Sequence, residues 1–209
     1  MTKIIRILAL VVAFTSAGSL AAQTSINGGI SALGIKSGDQ DTKTYTYLGF
    51  YAGLTQNMKL SDHTGFAFSI YYNQFSGDVK TTVPGATHHS EYFENNINPS
   101  LAFNYRFILT EKSCIYLFLG PEANVVLSAK RDNWVDGIDL HNKTDLLNQD
   151  EAGNALLRRF NLSGIGGIGA KIDFLNITLG AAIPIFSRYE NNASGEKIAR
   201  VFLGVGLVF

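Results

Sequence analysis

The sequence predicts an all-β fold, an eight-stranded antiparallel up-and-down transmembrane β-barrel. Apolar residues alternate with small or polar residues along eight segments, and this period of two residues is typical of strands. The connections between the segments alternate between long and short, as antiparallel neighbours in a membrane barrel require. The bulky faces of the segments carry almost no Lys or Glu, which suits a surface that meets hydrocarbon.

The N-terminus has the layout of a secretory signal peptide. Lys3 and Arg6 precede an apolar run over residues 7–14, and small residues follow up to Ala22. A membrane-anchoring helix would need about 20 consecutive apolar residues, and this run is far shorter. We therefore expect cleavage after Ala21 or Ala22, which makes residues 1–22 a signal peptide. Residues 23–209 then form one exported barrel domain.

Eight strands are predicted in chain order. They cover residues 25–36, 44–57, 64–75, 99–109, 114–127, 158–171, 175–189 and 200–209. The last one shows the alternation most clearly, with Leu203, Val205 and Leu207 on one face and Arg200 and Gly204 on the other. Each strand is long enough to cross a bilayer, since a tilted strand needs about 9–11 residues.

The connections set the direction of each strand. Residues 37–43, 77–93, 128–157 and 190–196 are polar and are predicted to be extracellular loops. Residues 58–63, 110–113 and 173–175 are short and are predicted to be periplasmic turns, the pattern of outer-membrane barrels. The alternative is a water-soluble sandwich or lipocalin-like barrel, in which the apolar face would point inward. The volumes favour the membrane barrel, because eight strands leave an interior that small residues and a few polar ones fill.

Charged residues on the inward face suggest a polar network in the lumen. The inward positions include Asn98, Asn104, Arg106, Glu122, Asn124, Arg188 and Arg200. We hypothesise that Glu122 pairs with one or more of Arg106, Arg188 and Arg200, because an unpaired charge in a confined lumen is costly. Such a network would plug the barrel, and a narrow pore remains the alternative function.

The C-terminal strand carries the most specific resemblance to a known family. It ends in Phe209 and has apolar residues at alternate positions before it. In this respect the chain resembles the small outer-membrane β-barrel proteins of Gram-negative bacteria, the porin-like "outer membrane protein β-barrel domain" group that includes OmpX-like and OmpA-like barrels. The resemblance implies that Leu203, Val205, Leu207 and Phe209 form the signal read by the barrel-assembly machinery. It also implies an outer-membrane location among lipid and lipopolysaccharide, and we expect a monomer.

The composition narrows the function. With 17 Lys and Arg against 17 Asp and Glu, the formal net charge of +0 offers no attraction for nucleic acid. Cys114 is the single cysteine, so no internal disulfide framework is possible, and no cofactor is expected. We expect a non-enzymatic structural or interaction protein that meets an unknown extracellular partner through its long loops, the longest of which contains Trp134.

Three further motifs resemble functional sites, and each has a plainer interpretation. His88-His89-Ser90-Glu91 has a His-x-Ser spacing that a lipid A hydrolase would use, but it falls in a predicted loop. Asp132, Asp136, Asp139 and His141 resemble a cation loop, but Trp134 stands where calcium needs an oxygen ligand. The Gly-rich run over residues 164–169 lacks the ending of a phosphate loop, and it is interpreted as making room for bulky lumen side chains or as bending the strand.

Overall fold

In a computed structural model, the chain consists of antiparallel strands joined edge to edge. The structure describes residues 22–36, 44–83, 86–136, 138–148, 157–186 and 197–209. These contain the strands β1 (Ala22–Lys36), β2 (Thr44–Lys59), β3 (Thr64–Val83), β4 (Ala86–Thr110), β5 (Ser113–Val135), β6 (Ile138–Asp145), β7 (Phe160–Ile172), β8 (Leu175–Pro184) and β9 (Lys197–Val208). No helix within these ranges is long and apolar enough to cross a membrane.

Eight of the strands close into a ring, which confirms the predicted barrel. The order around the ring is β4-β3-β2-β1-β9-β8-β7-β5, and the pairing of β4 with β5 closes it. The first and last strands are neighbours, with Gly29 opposite Gly204. Closure gives every barrel strand a partner on both sides, which hydrocarbon demands of a backbone that crosses it. β6 lies outside the ring and pairs with β5.

The two faces of the ring divide as the alternation predicts. Outward positions are bulky and apolar, as at Leu119 and Ile30, which are 71% and 66% exposed. Inward positions are small or polar, as at Asn98, which is 1% exposed. Tyr105 and Phe107 lie at the end of the barrel that carries the short turns, where their rings pack edge to face. An outer surface of this kind is expected where a barrel contacts the hydrocarbon of a membrane.

The short turns are where the sequence predicts them. Leu60 and Ser61 donate their backbone N–H groups to the carbonyl of Thr64 and so close the turn between β2 and β3. Turns at residues 111–112 and 173–174 join β4 to β5 and β7 to β8. Asp173 adopts a φ of 54°, in the left-handed region that Asp tolerates better than most residues.

Two of the predicted extracellular loops are largely strand, so that part of the prediction was wrong. β3 and β4 continue through residues 77–93, with pairing that reaches Val83 opposite Ala86. β5 continues to Val135, and β6 folds back onto it within the predicted loop 128–157. Above the membrane both faces of a sheet can be polar, so the hydrophobic alternation used to find strands disappears while the backbone pairing persists.

The glycine run on β7 makes room for aromatic rings, as interpreted from the sequence. A Cβ at Gly167 would collide with the Phe118 ring at 2.6 Å. A Cβ at Gly169 would overlap the ring of Tyr116. At Gly164, by contrast, a Cβ meets nothing within 4 Å. The inward glycines therefore admit large side chains from β5 into a narrow lumen.

Candidate functional site

A closed ring of polar side chains crosses the middle of the lumen. Arg200 Nη2 lies 2.6 Å from Glu122 Oε2, and Arg200 Nη1 donates to Asn73 Oδ1 at 3.2 Å. Asn73 in turn donates to Asn98 Oδ1 at 2.8 Å, and Asn98 donates to Glu122 Oε1 at 3.1 Å. The four side chains come from β9, β3, β4 and β5 and all are buried. This lumen ring satisfies two buried charges by pairing and by hydrogen bonds, and it obstructs the barrel at this level.

The structure separates the four charged residues that were grouped from the sequence. Glu122 and Arg200 are in the lumen ring. Arg106 follows Asn98 by eight positions on β4, about 26 Å along the strand at ~3.3 Å per residue. It lines a different cavity, near the short turns. Arg188 lies outside the described residues.

A second buried carboxylate lies next to the lumen ring on its extracellular side. Glu94 is fully buried and accepts hydrogen bonds from the Tyr92 hydroxyl and, at 2.7 Å, from Asn96 Nδ2. Neither Glu94 nor Asn73 was identified from the sequence. Both follow from extending the alternation, because Glu94 is in phase with Asn98 on β4 and Asn73 is opposite in phase to the outward Tyr72 on β3.

Above these carboxylates an apolar cluster, here called the cap, fills the extracellular end of the lumen. Tyr47 and Tyr92 are its aromatic pair, with ring centroids 4.6 Å apart. Its buried members are Leu33, Tyr47, Phe75, Tyr92, Val126, Ala129, Leu146, Leu147 and Leu157. The last three belong to the segment predicted as a loop, and the backbone N–H of Leu146 donates to the carbonyl of Ala129 at 2.9 Å. The segment after β6 is thereby held in the barrel mouth.

Below the lumen ring the barrel contains a cavity of ≈ 760 Å³, here called the vestibule. It opens between the short turns and is lined there by Asp62, Glu111 and Lys112. Its inner end is closed by an aromatic layer in which Phe118 and Phe202 contact each other with centroids 6.4 Å apart. The vestibule is therefore a blind pocket that faces the side of the membrane with the short turns.

On the extracellular side, β3, β4, β5 and β6 form a sheet that projects beyond the apolar band. On its outer face Trp134 lies between two histidines, with ring centroids 4.8 Å from His89 and 5.3 Å from His141. His89 Nδ1 lies 3.1 Å from Asp78 Oδ2, and Nε2 lies 3.1 Å from Asp136 Oδ1 without hydrogen-bond geometry. Stacking and polar contacts therefore connect side chains from β3, β4, β5 and β6 across this outer face.

The chemistry proposed for two extracellular motifs does not match the geometry. His88 to Glu91 lie on strand β4 instead of in a loop, so His88 and Ser90, the pair with the His-x-Ser spacing, share one face of the strand about 7 Å apart at ~3.3 Å per residue. Among the described residues no hydrogen bond joins Ser90 to a histidine.

The cation site is not formed either. Among the described residues, no group of His, Cys, Asp or Glu side chains is placed to hold a metal ion. His141 instead contacts Asp132 at 3.1 Å. The side chain of Asp139 lies outside the described residues.

The C-terminal strand presents to the lipid the apolar residues that the sequence suggests as an assembly signal. Leu203, Val205 and Leu207 are 46%, 56% and 47% exposed, and Phe209 is 74% exposed. The backbone N–H of Phe209 still donates to the carbonyl of Thr24 at 2.8 Å, which ties the chain end to β1.

Comparison with known proteins agrees with this architecture. The model of the family described as "Outer membrane protein beta-barrel domain" matches residues 16–185. No curated protein sequence matches the chain closely enough to count as a relative.

The chain is also similar to several solved structures. One is Ail, the attachment invasion locus protein of Yersinia pestis, in complex with the heparin analogue sucrose octasulfate, at 14% identity and a TM-score of 0.47, covering 91% of this chain and 100% of that chain. Another is OprG from Pseudomonas aeruginosa, at 15% identity and a TM-score of 0.42, covering 92% and 98%. A third is the outer membrane enzyme PagL, at 13% identity and a TM-score of 0.43, covering 90% and 99%. These likenesses are too distant to bear on activity.

Proposed function

The chain belongs to the outer membrane protein beta-barrel domain family and is an integral protein of the Gram-negative outer membrane. From this premise we propose that it acts at the cell surface through its projecting sheet. In this proposal the barrel is an anchor with a closed lumen, and β3 to β6 present an interaction surface to an extracellular partner. We also propose that the barrel is a monomer surrounded by lipid and lipopolysaccharide. The barrel-assembly machinery would insert it by reading Leu203, Val205, Leu207 and Phe209.

The length of the projecting strands is the observation that carries the proposal. β3, β4 and β5 have 20, 25 and 23 residues, while a tilted strand needs about 9–11 residues to cross the hydrocarbon. The extra residues are held in register up to Val83 and Ala86. A mobile loop would lose conformational entropy when it bound a partner, whereas a preformed sheet has already done so. The ordered extension of these strands outside the membrane therefore supports a binding role there.

Photo-crosslinking on intact cells tests the surface role. The exposed residue Glu91, on the outer face of the sheet, is replaced by a photoreactive amino acid, and Lys112, in a short turn, takes the same substitution as the control. We expect a discrete crosslinked species at position 91 when the cells meet their natural environment or neighbouring cells. The same species should weaken when Trp134→Ala removes the stacked platform. Equal crosslinking at both positions, or none at position 91, would contradict the proposal.

A narrow pore is the second candidate, and the vestibule is the observation that favours it. The vestibule gives water access to the periplasmic part of the barrel lumen. The other part is occupied by the lumen ring and the cap, both of which are buried. Conduction would require both to move, so the closed barrel is the better supported reading.

Catalysis has less support. The proposal that the protein is not an enzyme rests on the pair His88 and Ser90: they share a face of β4, but among the described residues no hydrogen bond joins Ser90 to His88 or to another histidine. A lipid A hydrolase needs a base within hydrogen-bond reach of its nucleophile. Release of fatty acid from lipopolysaccharide by the purified protein, abolished by Ser90→Ala, would reverse this conclusion.

A further inference from the structure

We propose that the vestibule binds a small hydroxylated anion, a sugar phosphate or a sugar acid, with Arg106 as its anion contact and Asn104 as a hydrogen-bond acceptor. This site faces the periplasm, on the opposite side of the membrane from the projecting sheet. It therefore adds a ligand-binding activity to the surface role and does not depend on it.

The size and closure of the vestibule suit a small ligand. Its volume of ≈ 760 Å³ falls within the ~300–1,000 Å³ typical of ligand pockets. It opens at one end only, since the aromatic layer and the lumen ring close the other. A solute that enters would exchange with the periplasm and would not pass through.

The charges that line the vestibule favour an anion. Its cations are Lys59, Arg106, Lys112 and Lys171, and its carboxylates are Asp62 and Glu111. Lys59 Nζ is paired with Asp62 at 2.6 Å, and Lys171 Nζ donates to Gln23 Oε1 at 2.7 Å. Among the described residues no carboxylate lies within 4.0 Å of the Arg106 guanidinium. The guanidinium N–H groups of Arg106 are therefore not occupied by any described carboxylate, and its planar fork suits carboxylate and phosphate alike.

The wall of the vestibule also contains a buried hydrogen-bond acceptor that a donor on the ligand would satisfy. Asn104 is 3% exposed, and its Oδ1 has no hydrogen-bond partner, while its Nδ2 donates to Asn57 Oδ1 at 3.3 Å. A buried acceptor without a partner is costly, so such atoms normally meet water or a ligand. Asn104 and Arg106 lie two positions apart on the same face of β4, about 7 Å from one another at ~3.3 Å per residue. One small molecule can therefore reach both with an anionic group and a hydroxyl group.

The rest of the deep wall distinguishes a hydroxylated anion from an apolar acid. The hydroxyls of Thr55, Ser69 and Tyr71 form a connected group, with Thr55 Oγ1 2.9 Å from Ser69 Oγ and 2.6 Å from Tyr71 Oη. Across the cavity the Tyr116 hydroxyl donates to Asn176 Oδ1 at 2.8 Å. This wall is polar, and each hydroxyl keeps further acceptor capacity that a sugar hydroxyl uses and a fatty chain does not.

Titration calorimetry on the purified full barrel in lipid nanodiscs tests the site. The probes are glucose 6-phosphate, galacturonate and uncharged glucose. We expect at least one of the two anions to bind, more tightly than glucose and more weakly at high salt, because salt screens the Arg106 charge. Arg106→Gln should weaken that binding about tenfold or more, the usual effect of losing a charge-assisted hydrogen bond. Lys143→Gln, which removes an exposed cation from β6, should leave it unchanged.

The pattern of results also identifies the anionic group and protects against a folding artefact. Binding of glucose 6-phosphate alone assigns a phosphate ligand, binding of galacturonate alone assigns a carboxylate, and binding of both assigns an unselective anion site. Binding of neither anion, equal binding of glucose, or equal losses in Arg106→Gln and Lys143→Gln would overturn the proposal. If Arg106→Gln fails to fold, the side-chain amide signal of Asn104 in the wild-type barrel decides the matter. It should shift on addition of the bound anion, and an unchanged signal would also overturn the site.

Discussion

Arg200 on β9 and Glu122 on β5 meet across the lumen, with Nη2 2.6 Å from Oε2, although β7 and β8 separate their strands in the ring. Both side chains are almost fully buried. The pair therefore braces the barrel wall from inside as well as blocking its centre. Neighbouring strands are joined by backbone pairing, but only side chains can join strands that are not neighbours.

Breaking this pair from one side should be costly. Arg200→Met leaves the Glu122 carboxylate buried without its cation, and loss of one partner of a buried ion pair costs about 3–5 kcal/mol. We expect the free energy of unfolding in urea to fall by about that amount. The double variant Arg200→Met with Glu122→Gln should recover much of the loss, because no uncompensated charge remains. A double variant as unstable as the single one would show that the pair does not act as a unit.

The fit of aromatic rings against inward glycines gives a second prediction. Gly169→Ala places a methyl group in the Tyr116 ring, and overpacking of this kind costs about 1–3 kcal/mol. Gly164→Ala on the same strand meets open space and is the matched control. Urea unfolding of both variants should show a lowered midpoint for Gly169→Ala alone. Equal effects would mean that strand propensity, and not lumen packing, selects glycine on β7.

The cap gives a third prediction. Leu157→Ser should loosen the segment after β6, because a buried leucine that is 1% exposed loses its apolar contacts. We expect faster cleavage of the extracellular part by protease added to intact cells, with the heat-modifiable gel shift of the barrel retained. Leu60→Ser, an exposed leucine in a short turn, is the control. Unchanged protection in Leu157→Ser would show that the cap does not hold this segment.

The C-terminal residue separates assembly from stability. The Phe209 side chain is 74% exposed and contributes nothing to the packed lumen, so Phe209→Ala should leave the heat-modifiable gel shift of the purified barrel unchanged. If the assembly machinery reads this residue, the same variant should reach the outer membrane more slowly in cells. Fractionation after pulse labelling measures the rate. A variant that assembles at the wild-type rate would remove Phe209 from the signal.

The turn between β2 and β3 gives a prediction about pH. The Lys59 ammonium donates a hydrogen bond to Asp62 and lies close to its charge, and both effects lower the pKa of that exposed carboxyl. A lowered pKa contributes stability that is present above the ordinary carboxyl pKa and is lost as pH falls through the lowered value. Lys59→Met should therefore raise the pKa of Asp62 in an NMR titration, while Lys112→Met should not. No change in Lys59→Met would show that the contact is absent in solution.

How much the sequence predicts depends on which solvent each segment meets. Inside the membrane the alternation placed Leu203 outward and Arg200 inward correctly, since lipid on one face and a filled lumen on the other leave only one arrangement. Above the membrane that contrast ends, so His89 and Trp134 on the projecting sheet were assigned to loops. The partner of Glu122 was not fixed by alternation either. Three arginines share the inward phase in the sequence. Only the strand register shows that Arg200 lies level with Glu122, whereas Arg106 lies lower in the barrel and lines the vestibule.

Planar-bilayer recording of the purified wild-type barrel tests the closed lumen most directly. The lumen ring and the cap predict no stable conductance steps, and the double variant Arg200→Met with Glu122→Gln should also remain silent while the cap is intact. Reproducible unitary conductance steps from the wild-type protein would contradict the closed lumen and would make the pore its principal function.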